Sequence, residues 1–469
     1  MQISIIGAGY VGLTTSACLS ELGHDVLCAD SDMKKLALLQ AGRIPFFEPH
    51  LDELVKRNHS SGRLQFTTTD DAIDRGKALF ICVGTPPLEN GEADLSAIES
   101  VARQITQRAH GYRLVIEKST VPVQTAQRLR KHLAIYNTTG LEYDVVSNPE
   151  FLREGSAVED FFHPDRIVVG AESPRAIALM QEIYRPVLNP RTECPVHKSC
   201  PAQPKVPFLV TDTNSAELVK HASNSFLAMK ISFINMISDL CEATGADIER
   251  VAQGIGMDHR IGPSFLRPGI GFGGFCFPKD LQAFVRIGEK LGCNFSLLRE
   301  VEHINVARIE RFVAKIKKEL WVLRGKTIAV WGLAFKPQTD DVRFAPALTI
   351  VRRLLAEGAQ IRAYDPQAMD KAKQELPGIA YCADAYEACE NADAILVLTE
   401  WDEFRALDWK QISEKVARPV LLDGRNMFSP EEIVRHGFEY LGIGRHTLLS
   451  SGNESPQLAS SVMGASSKP

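Results

Sequence analysis

Short apolar runs alternate with amphipathic stretches through the first third of the chain. QISII (2–6), DVLCA (25–29), ALFICV (78–83), RLVIE (113–117), DVVS (144–147) and RIVVG (166–170) read as buried strands, and helical spacing fills most of the intervals between them. Alternation of this kind predicts a parallel sheet covered on both faces. A weaker copy returns near the other end. KTIAVWGLAF (326–335) echoes MQISIIGAGY, QIRAYDP (360–366) echoes DVLCADSD, and DAILVLTEW (393–401) echoes ALFICVGTP. Both copies read as strand, glycine turn, helix, then a strand closing on an aspartate, Asp30 or Asp365. Between them, from about residue 214 to 319, the helical period dominates. The stretch AELVKHASNSFLAMKISFINMISDLCEATG (216–245) has no proline and ends on Gly245, which predicts one long helix. So apolar a helix also suits a subunit interface.

GAGYVG (7–12) is G-x-G-x-x-G set directly after a strand and before an amphipathic helix. Gly7 permits the tight turn, Gly9 lets backbone approach a pyrophosphate, and Gly12 lets helix and strand pack closely. The free N–H groups at the helix start then face the phosphates. Asp30 lies about 20 residues on, where a carboxylate binds both ribose hydroxyls and repels a 2′-phosphate. NAD is therefore favoured over NADP, although Lys34 and Lys35 stand nearby. The predicted class is α/β, with two doubly wound Rossmann-like domains joined by a central helical segment. The expected boundaries are 1–210 for the nucleotide domain, 211–320 for the helical segment and 321–449 for the second domain. The polar stretch 450–469 is expected to be disordered.

Composition narrows the class. A formal charge of −5 and a pI near 6.2 leave no basic footprint for nucleic acid. No apolar run approaches the roughly 20 residues that cross a bilayer. The first residues enter a strand without the features of a secretion leader, and the ten cysteines are scattered through apolar elements, so a reducing, cytoplasmic location is expected. Residues 186–207 carry six prolines and read as an extended surface insertion. Cys194, His197 and Cys200 within it offer three ligands at a spacing that matches no established zinc pattern, so no metal is expected and the segment reads as a solvated loop.

Five stretches hold further candidate chemistry. VGTPP (83–87) and EKSTVP (117–122) follow strands, at the sheet edge where ligands sit, though such turns are common. SNPEFLREGSA (147–157) sets Glu150 and Glu154 four residues apart, a spacing equally met in solvated pairs. Glu217, Lys220 and Asn224 share one face of the long helix. GFGGFCFPKD (271–280) sets Cys276 among glycines, with Lys279 and Asp280 close behind. A thiolate is a nucleophile, and cations and helix N-termini lower its pKa, so this cysteine reads either as a nucleophile activated by its surroundings or as a small buried hydrophobe in a turn.

In order, GAGYVG, VGTP, EKSTVP, NPEFLREG, AELVKHASNSFLAMKISFIN, RIGPSFLRPGIGFGGFCFPKD and GLAFKPQTDDVRFAP resemble the signature series of the UDP-glucose 6-dehydrogenase family. The resemblance runs from residue 1 to about 445. It implies NAD-dependent oxidation of UDP-glucose to UDP-glucuronate by two successive hydride transfers. Cys276 would attack the C6 aldehyde, giving a thiohemiacetal and then a thioester that water releases. By the same resemblance, Lys220 and Asn224 would stabilise the oxyanion, Asp280 and Thr120 would hold a proton-collecting water, and Glu150 would assist hydrolysis. Gly7, Gly9, Tyr10, Val11, Gly12, Asp30, Lys35, Thr85, Glu154, Lys279 and Arg343 would contact NAD. Phe151, Leu152, Arg153, Arg267, Phe272, Gly273, Phe335, Lys336 and Arg425 would hold the UDP-sugar. Arg260 would reach a neighbouring subunit's site, implying a homodimer at least. Two departures stand out: Phe275 replaces the family's usual serine before the cysteine, and Met236 replaces an acidic residue after Asn235. The rival readings are a sister enzyme acting on GDP-mannose or a UDP-N-acetylhexosamine, and a catalytically silent NAD-binding module.

Overall fold

The computed structural model describes residues 1–189, 193–197, 199–200 and 205–447. The polar stretch 450–469, expected to be disordered, lies outside the described residues. The first sheet is built from β1 (Gln2–Ile6), β2 (Asp25–Ala29), β3 (Leu64–Thr67), β4 (Ala78–Ile81), β5 (Tyr112–Glu117), β6 (Glu142–Ser147), β7 (Ile167–Gly170) and β8 (Phe208–Thr211). Its order is β3-β2-β1-β4-β5-β6-β7-β8. The first six strands thus take the 3-2-1-4-5-6 order of a dinucleotide-binding sheet, with its switch point between β1 and β4. One expectation is corrected: the sheet is not wholly parallel, because β6 meets β7 antiparallel through Ser147 and Gly170. Helices cover both faces, and their apolar sides close two separate cores on the sheet.

The second sheet contains β9 (Thr327–Trp331), β10 (Gln360–Tyr364), β11 (Ala380–Tyr381), β12 (Ala394–Val397), β13 (Val420–Asp423) and β14 (Glu439–Leu441). Its order, β11-β10-β9-β12-β13-β14, repeats the first in an all-parallel form. The likeness extends to hydrogen bonds. Gly7 donates to the Ala29 carbonyl at 2.8 Å, and Gly332 donates to the Tyr364 carbonyl at 2.9 Å. Asp30 accepts from the Ala8 N–H, and Asp365 accepts from the N–H groups of Leu333 and Ala334. In each copy a strand-end aspartate fixes the glycine turn of its neighbour.

The long helix runs from Thr213 to Thr244. Asp212 caps its start by accepting the Ser215 N–H at 2.9 Å. Gly245 ends it at φ 83°, a left-handed conformation that glycine adopts without a Cβ penalty. The helix packs on β7 and on the helices Cys276–Lys290 and Ser296–Leu320. Gly170, the last residue of β7, permits this approach. A Cβ there would lie 2.7 Å from the Ala216 Cβ and from the Thr213 Cα, and 2.8 Å from the Asp212 carbonyl oxygen. Backbone atoms cannot turn aside as a side chain can. Gly170→Ala is expected to cost about 1–3 kcal/mol, the usual range for overpacking, and to lower the apparent Tm in a calorimetric scan.

Candidate active site

The first glycine turn forms a cradle of bare backbone. A Cβ on Gly12 would lie 1.8 Å from the Gly7 carbonyl oxygen, and one on Gly7 would lie 2.5 Å from that of Cys82. Gly9, by contrast, has open space where its Cβ would point. It precedes the helix Tyr10–Glu21, whose start carries no side-chain cap. Free N–H groups facing open space suit a pyrophosphate. Asp30 closes the turn: Oδ2 accepts from Ala8 N–H at 2.9 Å and from Lys35 Nζ at 2.8 Å. Burial works against the Asp30 carboxylate, but Lys35 and the backbone donors prevail and its pKa falls below the usual value. Thr85 and Thr120, from separate loops of the same sheet edge, meet through a 2.8 Å bond from the Thr85 hydroxyl to the Thr120 carbonyl. These groups fit a dinucleotide.

The second half of the site is a knot of buried charges. Lys220 donates to Glu150 Oε1 at 2.9 Å, and both side chains are withdrawn from solvent. Asp280 accepts from Asn224 Nδ2 at 2.6 Å on one oxygen and from Lys279 Nζ at 2.6 Å on the other. Burial opposes the Lys220 ammonium, yet Glu150 and Asp280 outweigh it and raise its pKa. Burial likewise opposes the Asp280 carboxylate, and Lys279 and Lys220 prevail to lower its pKa. Both groups are therefore charged at neutral pH. Helical spacing explains the convergence, since residues 220 and 224 lie one above the other on the long helix.

Cys276 begins the helix Cys276–Lys290 beside this knot. Burial pushes its thiol up to about 12, the carboxylates of Asp280 and Glu150 add to that, and Lys220 pulls the other way. The expectation of a lowered thiol pKa is corrected. Lys279, the cation expected to activate it, spends its charge on Asp280. The thiol rests protonated.

A wall from the second sheet's side closes over the loop before Cys276. Gly274 N–H donates to the Arg343 carbonyl at 3.0 Å. A Cβ on Gly273 would meet the Phe344 carbonyl oxygen at 2.4 Å, and one on Gly274 would meet the Phe335 ring at 2.7 Å. Phe275 turns its ring to Arg343, whose guanidinium carbon stands 4.5 Å from the ring centroid. Glu154 faces the same wall, with its Oε1 3.6 Å from Arg343 Nη2. Burial first, and then the neighbouring Asp341, raise the Glu154 pKa to about 8 against the pull of Arg343 and Lys336.

Three consecutive segments of this chain match the three domain models of one family. Residues 1–188 match the NAD binding domain of the UDP-glucose/GDP-mannose dehydrogenase family, 214–307 its central domain and 329–430 its UDP binding domain. The chain belongs to that family. The UDP-glucose 6-dehydrogenase of Rhizobium meliloti is 44% identical over 95% of this chain and 100% of its own length. UDP-glucose 6-dehydrogenase TuaD of Bacillus subtilis is 42% identical over 95% of this chain and 93% of its own length. A solved structure of a UDP-glucose dehydrogenase from Pyrobaculum islandicum superposes with a TM-score of 0.85, at 37% identity, over 95% of this chain and 98% of that one.

Within this dehydrogenase the candidate residues fall into two groups. Cys276, Lys220, Asn224, Asp280, Lys279 and Glu150 form one centre, and Phe151 adjoins it with its ring centroid 5.5 Å from Lys220 Nζ. Leu152 N–H donates to the second Glu150 oxygen at 2.6 Å. Phe272 and Gly273 belong to the cysteine loop, Phe335, Lys336 and Arg343 to the wall over it, and Glu154 faces that wall; Asn305 fixes Phe272 by accepting its N–H at 2.8 Å. Other residues stand apart. Arg153 is spent on Asp160 at 2.5 Å, Arg260 on Asp258 at 2.6 Å, and Arg267 is exposed. Arg425 braces the fold, donating to the carbonyls of Leu398, Gly271 and Phe335 at 2.9, 3.1 and 3.1 Å.

Sequence reasoning missed Glu48. It accepts N–H groups of Gly155 and Ala157 at 2.6 and 2.7 Å and bonds the Tyr10 hydroxyl, joining the nucleotide turn to the loop that carries Glu150. Nothing in FFEPH (46–50) signals partners more than a hundred residues away. It missed His221 too, buried with Nε2 2.7 Å from the Val121 carbonyl.

A thiol at about 12 reacts slowly as a nucleophile at neutral pH. Iodoacetamide labelling of Cys276 in the ligand-free protein, followed by mass spectrometry, is expected to keep accelerating above pH 9. Asp280→Asn removes an anion and is expected to speed labelling at pH 8; Lys220→Met removes the opposing cation and is expected to slow it.

Proposed function

We propose that this chain oxidises the C6 alcohol of UDP-glucose to the carboxylate of UDP-glucuronate. The overall change consumes two NAD and one water, and releases two NADH and three protons. One observation carries the mechanism: a single thiol stands beside a buried ammonium, an amide and two carboxylates. When bound, NAD supplies the acceptor for the hydrides that leave C6. The chain's own groups act on what remains.

The first oxidation yields an aldehyde, which has no hydride to give until a nucleophile makes its carbon tetrahedral. Cys276 adds to that carbon, a sulfur–carbon bond forms, and the thiol proton passes to the oxygen, giving a thiohemiacetal. Lys220 and Asn224 donate to the oxygen as its negative charge develops, a contribution of about 3–4 kcal/mol per donor in comparable sites. Loss of the remaining hydride and the hydroxyl proton leaves a thioester. Water then replaces the sulfur, with Glu150 assisting attack and the thiol regaining its proton. Asp280, charged and held by Asn224 and Lys279, anchors the water that collects the alcohol proton, a role it would share with Thr120. Burial and hydrogen bonding of this set speak against a silent nucleotide-binding module.

The enzyme works in the cytoplasm and as a dimer at least. A nucleophilic thiol such as the one proposed at Cys276 needs a reducing compartment. Phe226, Phe233, Met236 and Leu240 form an exposed apolar stripe on one side of the long helix. Arg260, exposed and paired with Asp258 among the described residues, would exchange that partner to enter a neighbour's site.

Wild-type protein is expected to form two NADH per UDP-glucose consumed, measured by absorbance against product. One NADH per sugar, or turnover only with GDP-mannose or a UDP-N-acetylhexosamine, would reject the reading. Cys276→Ser is expected to lower acid release by at least about a thousandfold while NAD affinity changes less than about twofold. Phe233→Asp combined with Leu240→Asp is expected to convert the dimer to a monomer in light scattering.

A further inference from the structure

The described residues of the proline-rich insertion do not float free as a solvated loop. Cys194 and Val196 pack against the first core, and Cys194, His197 and Cys200 converge on His163, which follows the helix Ala157–Phe162. Each offers one ligand atom, and all four atoms lie within 4.8 Å of one another. His163 Nε2 stands 3.1 Å from Cys194 Sγ and 3.7 Å from Cys200 Sγ, and Cys194 Sγ stands 3.5 Å from His197 Nδ1.

We infer that His163, Cys194, His197 and Cys200 bind one zinc ion as a closed structural site. Tetrahedral zinc with bonds of about 2.3 Å to sulfur and 2.0–2.1 Å to nitrogen sets its ligand atoms about 3.3–3.8 Å apart. The three separations above span nearly that range. Two sulfurs and two imidazoles complete the shell with no position for water, which is the donor set of a structural rather than a catalytic zinc. Soft thiolate donors also disfavour magnesium and calcium.

The surroundings suit the same ion. His197 N–H donates to Cys194 Sγ at 3.2 Å, and Cys194 N–H donates to the His197 carbonyl at 3.2 Å, so the two ligands close a tight turn whose amide favours a thiolate. On the far side of the ring, His197 Nε2 lies 3.6 Å from Glu159 Oε1. A carboxylate on that side favours the tautomer with its proton on Nε2, which leaves Nδ1 to ligate, and is a common outer partner of metal-bound histidine. The insertion also has a need for the ion. With six prolines and few large apolar residues it has little core of its own, and short segments of that kind are usually stapled. The site would pin it to the body of the first domain, sharing no residue with the Cys276 centre.

The test uses full-length protein prepared with a thiol reductant and no chelator. Elemental analysis is expected to find about one zinc per chain, falling below about 0.2 in Cys194→Ser and Cys200→Ser. His197→Cys, which keeps four donors, is expected to retain the metal. Cobalt(II) exchanged into the wild type is expected to give the visible bands of a tetrahedral site and a near-ultraviolet thiolate charge-transfer band, both lost in Cys194→Ser/Cys200→Ser. Wild-type protein that holds less than about 0.1 zinc after incubation with zinc chloride would overturn the inference. So would a cobalt spectrum that the double substitution leaves unchanged, or a Cys194–Cys200 disulfide in protein that takes up no zinc once reduced.

Discussion

An ammonium group taken out of water keeps its charge only when anions stand close enough to replace the lost hydration. Lys220 has two, Glu150 in hydrogen-bond contact and Asp280 nearby, and the arrangement of the whole centre follows from that requirement. Glu150 comes from the loop after β6, Lys220 from the long helix, and Asp280 from the helix that Cys276 begins. Three segments must therefore meet at one point. Burying such charges seldom improves stability over a well-packed apolar cluster. Their presence suits the proposed reaction, in which an oxygen becomes negative beside them.

The same field holds the nucleophile back. Burial first, and then two carboxylates, keep the Cys276 proton in place, while one cation favours its departure. A thiol at rest resists oxidation and stray alkylation better than a thiolate does. Lys279, one residue from Asp280 and three from Cys276 in sequence, illustrates how spacing misleads: the carboxylate claims it. Proximity along the chain placed the cation correctly and assigned it to the wrong partner.

Much of the architecture was legible because strands covered on both faces read as continuous apolar runs. β1, β2, β4 and β9 are of this kind, nearly free of solvent along their length. Several strands with mixed exposure are not recognisable in this way. β3 alternates buried Leu64 and Phe66 with exposed Gln65, β8 leaves Leu209 and Val210 exposed, and β11 has two residues. β13 is an apolar run that was also overlooked, where four residues before a glycine resemble a helix fragment as much as a strand. Site residues one helical turn apart, such as Lys220 and Asn224, could be grouped from spacing alone. Glu48 and His163 could not, because their partners arrive from distant parts of the chain. A ligand set read as three was four for that reason.

The covering of the cysteine loop has a consequence for how the molecule is made. Gly273 and Gly274 rest against Phe335, Phe344 and Pro346, and Gly155 rests against Gln338. A ribosome releases the nucleotide turn, the lysine and the thiol well before those residues emerge. Domains tend to fold as they leave it, the N-terminal one first. The nascent chain thus carries an assembled cofactor cradle and a cysteine loop that still lacks its roof, and only translation past residue 346 supplies the residues that cover it.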